Sequence, residues 1–130
     1  MPVVKQLSIF LVNKPGVLAR LCHAFAGHKI NIEGMSVSDT VDHAVVRLIT
    51  NDPAKAATVL ESAGVLVIET DVLALKLADK PGELASVAAR LARAKVNIEY
   101  AYGTTEGAAQ GMLILRVSDI KKARKVLKEK

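Results

Sequence analysis

At 130 residues and 51% apolar content, the chain has enough material for one average core or two small ones. The net charge of +5 is unevenly spread: from Asp119 onward six basic residues face two acidic ones, so +4 sits in one terminal segment, most simply a solvated helix face. No basic-then-apolar leader opens the chain, no apolar run approaches the roughly 20 residues of a membrane span, and the single cysteine, Cys22, has no partner for an internal disulfide. A cytoplasmic protein is expected, with Cys22 as a small core residue.

In chain order, residues 6–12 alternate Leu7, Ile9 and Leu11 with Gln6 and Ser8, the pattern of a half-buried strand. Asn13-Lys14-Pro15-Gly16 interrupts it, and the apolar spacing then lengthens to Leu18, Leu21, Cys22 and Phe25, which predicts a helix. Second and third strands are expected over 30–37 and 43–50. Asp52-Pro53 supplies an N-cap and a first-position proline for a second helix, Gly64 ends that helix, and 65–69 follow as a fourth strand. The cycle then restarts. Residues 72–78 alternate Leu73, Leu75 and Leu77 around Lys76, Asp79-Lys80-Pro81-Gly82 makes the turn, and Leu84, Val87, Ala88 and Leu91 mark the helix. Strands are expected over 96–103 and 112–117, and Asp119 caps the last helix, after which no counterpart of 65–69 follows.

The two cycles are copies. A shift of 66 positions lays Lys14-Pro15-Gly16 on Lys80-Pro81-Gly82, Leu18-Ala19 on Leu84-Ala85, and Asn31-Ile32-Glu33 on Asn97-Ile98-Glu99. Beyond a slightly longer loop, Asp52, Lys55, Ala56, Val59 and Leu60 match Asp119, Lys122, Ala123, Val126 and Leu127. The order βαββαβ, with helices covering one face of an antiparallel sheet, predicts an α+β protein of two tandem ferredoxin-like units, residues 1–70 and 71–130, the second lacking its last strand. In that topology the fourth strand flanks the first. The strand 72–78 is therefore expected to present an open edge that pairs elsewhere in the chain or across a dimer.

The chemistry points to the strand-to-helix turns. Proline fixes the turn, glycine lets a ligand approach the backbone, and the first amides of the helix carry the positive end of its dipole, which favours a carboxylate. Side-chain oxygens of Asn13, Asp79, Asn31 and Asn97 are the candidate acceptors for an ammonium. The alternative is that Pro-Gly serves only as a tight turn and that the asparagines cap loops.

A Lys-Pro-Gly helix start with leucine two residues on, followed by Ile-Asn-Ile or Val-Asn-Ile, resembles the ACT domain, and the match runs over nearly the whole chain twice. The resemblance implies a ferredoxin-like module that binds an amino acid at domain or subunit interfaces and regulates amino-acid metabolism, without catalysis and without a cofactor or metal. Its implied ligand-binding residues are Asn13, Lys14, Pro15, Gly16, Val17, Leu18 and Asn31 in one copy, and Asp79, Lys80, Pro81, Gly82, Glu83, Leu84 and Asn97 in the other. A small-molecule ligand and a homodimer are the implied partners. The copies differ at Asn13 against Asp79, so two unequal sites are expected.

Other classes fit less well. An acylphosphatase-like enzyme would want an arginine cradle, whereas each turn offers one lysine. His23 and His28 are five apart and lie on different helix faces, which argues against metal ligation. RNA-binding sheets of this topology expose stacking aromatics, and this chain has only Phe10, Phe25, Tyr100 and Tyr102. The strongest rival is an interaction module without a ligand, because Val45 and Ile49 alternate with Ala44, Val46 and Leu48 and make both faces of the third strand apolar.

Overall fold

The computed structural model describes residues 3–12, 14–39, 43–78, 81–106 and 110–128. The chain divides into two compact units, one of Lys5–Thr70 and one of Met1–Val4 with Asp71–Lys130. Together they hold six strands and four helices among the described residues, an α+β architecture of two ferredoxin-like units.

The first unit contains most of β1 (Val3–Val12), then α1 (Val17–Gly27), β2 (Ile32–Asp39), β3 (His43–Thr50), α2 (Pro53–Ser62) and the beginning of β4 (Val67–Ala78). Its strands lie in the order β2-β3-β1-β4. The antiparallel register sets Leu7, Ile9 and Leu11 opposite Leu48, Val46 and Ala44, so the alternating apolar residues of both strands share one face. Leu21 and Phe25 of α1 and Ala56, Ala57 and Leu60 of α2 cover that face and close the core. Burying each large side chain contributes about 1.5–3 kcal/mol, which is how a unit this small orders two helices.

Helix ends follow local chemistry. The Asp52 carboxylate accepts a hydrogen bond from the Lys55 amide at 3.1 Å, with Pro53 in the first turn. Helix α2 closes through Gly64 at φ 80, and the Val65 amide reaches back to the Leu60 carbonyl at 3.0 Å. Helix α1 ends in the same bond from Ile30 to Phe25 at 2.9 Å, but with Lys29 at φ 59 in place of glycine. This use of Ile30 explains why β2 starts at Ile32 rather than at residue 30.

The second unit repeats the plan with the rest of β4, α3 (Glu83–Arg93), β5 (Ile98–Glu106), β6 (Gln110–Val117) and α4 (Ile120–Lys128). Leu73, Leu75, Leu115 and Val117 from the sheet pack with Val87 and Leu91 of α3 and Ala123 and Leu127 of α4. No strand follows α4 among the described residues. One expectation is corrected. Residues 65–69 and 72–78 do not form separate strands but one, Val67–Ala78, because Thr70 and Asp71 contain neither Gly nor Pro to break the extended backbone. The edge expected to pair elsewhere finds its neighbour within the chain: β4 lies between β6 and the start of β1 in the strand order, and Val3 packs against the second core.

Candidate ligand site at the strand-to-helix turns

Both turns share one backbone solution. Gly16 and Gly82 occupy the N-cap positions of α1 and α3 with φ of 86 and 92, in the left-handed region that glycine enters without strain. Their carbonyls accept the first helical bonds, from Arg20 at 3.0 Å and Ser86 at 2.9 Å. A Cβ at either glycine would meet nothing within 4 Å, so packing does not demand glycine there; the backbone angle does, and the space above it is open. A glycine cap has no side chain to offer the helix; at α1 the Val17 amide turns back instead to the Lys14 carbonyl at 3.3 Å, and the positive end of each helix dipole lies at the turn. Lys14, Pro15, Gly16, Pro81 and Gly82 are exposed. Val17 and Leu18 pack partly against the first core, anchoring the start of α1. Asn13, Asp79 and Lys80 lie outside the described residues.

The two helix starts differ in charge. Helix α3 carries Glu83 in its first turn, whereas α1 has no acidic residue there. A carboxylate at that position already interacts with the helix dipole and opposes an incoming anion, so the first turn is the better carboxylate receiver.

The asparagines sit elsewhere in their units. Asn31 and Asn51 form a reciprocal pair: the Asn31 amide donates to the Asn51 side chain at 2.9 Å, and the Asn51 amide donates to the Asn31 carbonyl at 3.2 Å. In the second copy Ser118 takes the place of Asn51, with both bonds to Asn97 at 2.9 Å. These backbone ties leave the Asn31 and Asn97 side chains exposed. Val12, just before the first turn, pairs with His43, while Ile32, just after Asn31, pairs with Thr50. Seven residue steps along β3 separate these partners, about 23 Å of strand. The second copy keeps this spacing, with Ala78 opposite Gln110 and Ile98 opposite Val117. Within one unit, therefore, the Pro-Gly turn and the asparagine occupy opposite ends.

Two residues that the sequence reading passed over stand out on β2. Met35 and Val37 pair with Leu48 and Val46, which places them on the face of the sheet that α1 and α2 cover, yet they are 40% and 50% exposed. The matching positions in the second copy are Ala101 and Gly103, and a Cβ at Gly103 would come within 2.8 Å of the Met112 carbonyl. Position-by-position comparison of the repeats is the signal that finds them: the first copy has apolar surface where the second has almost no side chain. No group of three or more His, Cys, Asp or Glu able to hold a metal occurs among the described residues, and no helix among them is long and apolar enough to cross a membrane.

Comparison with known proteins gives the following. A family model described as an ACT domain pair matches residues 2–130. Among solved structures, a protein from Bacteroides thetaiotaomicron is 35% identical, with a TM-score of 0.93 over 98% of this chain and 88% of that one. The ligand-free regulatory subunit of aspartate kinase from Thermus thermophilus is 15% identical with a TM-score of 0.71, covering 99% of this chain and 97% of that one. The regulatory subunit of aspartate kinase from Thermus flavus is 18% identical with a TM-score of 0.68, covering 95% and 88%. No curated protein matches in sequence.

Proposed function

Because this chain belongs to the ACT domain family and carries the domain as a pair, we propose that it is a non-catalytic, cytoplasmic regulatory protein that binds an amino acid at its Pro-Gly turns. The observation that carries this reading is the pair of glycine-capped helix starts, each with left-handed backbone and open space above it. A ligand carboxylate would take the leading amides, and Asn13 or Asp79 would face the ammonium. Asn31 and Asn97, at the far ends of their own units, would reach such a ligand only across a domain or subunit interface. The reading includes a homodimer. Exposed Met35 and Val37 on β2, which ends the strand order of its unit, supply apolar surface for that contact.

Thermal-shift measurements against the twenty amino acids test the reading. At least one should raise the melting temperature at millimolar concentration by mass action. If none does, the protein is an interaction module without a ligand, the reading that the apolar surface of β2 would then favour. With the ligand in hand, calorimetric titration should show Asp79→Asn weakening binding more than Asn13→Ala, because a charged acceptor holds an ammonium more strongly than a neutral one. Equal losses would remove the distinction between the two sites. Light scattering should give a dimer for the parent chain and a shift toward monomer for Met35→Lys/Val37→Lys.

A further inference from the structure

The basic run at the end of the chain has no role in the ligand site, and the duplication supplies an internal control for it. Helix α2 and helix α4 are copies, packed in the same way in their own units, with Ala56 and Leu60 buried in one and Ala123 and Leu127 in the other. Lys55 and Lys122 correspond and are common to both. Where the first copy carries exposed Ala54 and Thr58 and buried Ala57, the second carries Lys121, Lys125 and Arg124, all three exposed. Helix α3, which packs beside α4, adds exposed Arg93 and, just beyond its end, exposed Lys95. Arg90 is engaged differently, its guanidinium donating to the Val126 carbonyl at 2.6 Å and tying the two helices together.

This charge is not there to stabilise α4. Lys121 and Lys122 fall in its first turn, where the dipole disfavours cations and the Asp119 cap, which accepts the Lys122 amide at 3.0 Å, is the acidic group beside them. Lys121 and Lys125 are four apart and like-charged, which also costs helix stability. A shared fold explains the common Lys55 and Lys122; it does not explain three further cations crowded onto one copy only.

We infer that the exposed side of the α3–α4 layer is a docking face for an acidic protein surface. A membrane is the poorer partner because the apolar side of α4 is already spent in the core, and Leu84 at the start of α3 is the one large apolar side chain exposed among the described residues of the two helices, too little surface to insert. Nucleic acid is the poorer partner because the exposed positions of α3 and α4 are Leu, Ala, Ser, Lys and Arg, with no aromatic on which a base could stack. The inference is independent of the ligand site.

The test uses the full chain and a fluorescent poly-L-glutamate peptide, followed by anisotropy. Binding should weaken steeply between about 50 and 300 mM salt. The triple variant K121Q/R124Q/K125Q should lose roughly ten-fold in affinity while keeping or raising the melting temperature, since it removes unfavourable helix charges. R20Q/K29N/K55Q removes the same number of charges from the helix layer of the first unit, with asparagine chosen at 29 because it tolerates the left-handed backbone. It should bind nearly as well as the parent. Equal losses in the two triples would mean that only net charge matters, and would overturn the proposal. So would failure of the parent to bind, or tighter binding to a DNA duplex or to phosphatidylserine vesicles than to the peptide.

Discussion

Phe25→Ala lowers the stability of the first unit by about 3–5 kcal/mol, the usual cost of emptying a buried aromatic site. Phe25 is 1% exposed and is the largest fully buried side chain among the described residues. It lies where α1 meets the sheet, and its own carbonyl accepts the Ile30 amide that closes the helix. Its loss therefore loosens both the core and the exit into β2. In urea, followed by circular dichroism, the midpoint of the first unit should fall by roughly 1–3 M. Leu91→Ala, at the matching position of α3, should do the same to the second unit at a cost of about 2–5 kcal/mol. The part of any ligand-induced rise in melting temperature that comes from the first turn should shrink in Phe25→Ala, because Phe25 anchors α1 together with Leu21, Val17 and Leu18. A loss below about 1 kcal/mol would show that the site relaxes to fill the cavity, and that α1 is anchored chiefly by Leu21, Val17 and Leu18.

Gly16→Val has the opposite profile, with a limited effect on stability and a large one on binding. At φ 86 an L-residue with a branched Cβ is strained by roughly 1–2 kcal/mol or somewhat more. Nothing lies within 4 Å of the new Cβ, so no core contact is lost. The added side chain instead covers the leading amides of α1, and titration with the amino acid identified by thermal shift should show a loss of at least about ten-fold in affinity. Gly16→Asn separates the two causes, since asparagine accepts the left-handed backbone but still obstructs the approach. If Gly16→Asn binds like the parent, the valine effect is backbone strain alone. Gly82→Val performs the same test at the second turn.

The duplication, the element order and the chemistry of the caps were legible in the chain. They depend on spacing and on residue types with strong local preferences: Lys-Pro-Gly twice, Asp52-Pro53, and leucines at period two and then at three or four. The left-handed Lys29 and Lys95 were not legible, because lysine carries no preference for that region and is held there by the bond from the residue after it to the last turn of the helix. Nor was the fusion of two expected strands into β4, since Thr70-Asp71 is compatible with a loop as well as with an extended strand until neighbouring strands supply hydrogen bonds.

The Pro-Gly turns themselves separate what each level decides. By itself the sequence determined that the turns occur twice, that each opens a helix, and that they differ at Asn13 against Asp79 and at Val17 against Glu83, because these are matters of residue identity and local backbone preference. Only the tertiary structure decided that Asn31 and Asn97 stand about 23 Å of strand away from the turns of their own units. It also decided that Val3 completes the second core, and that Met35 and Val37 remain exposed on the face that buries their partners. The physical reason is that a helix carries the chain from one end of its unit to the other. Residues close in sequence are thereby placed far apart, and which distant residues meet is settled by strand pairing and packing, which no local pattern encodes.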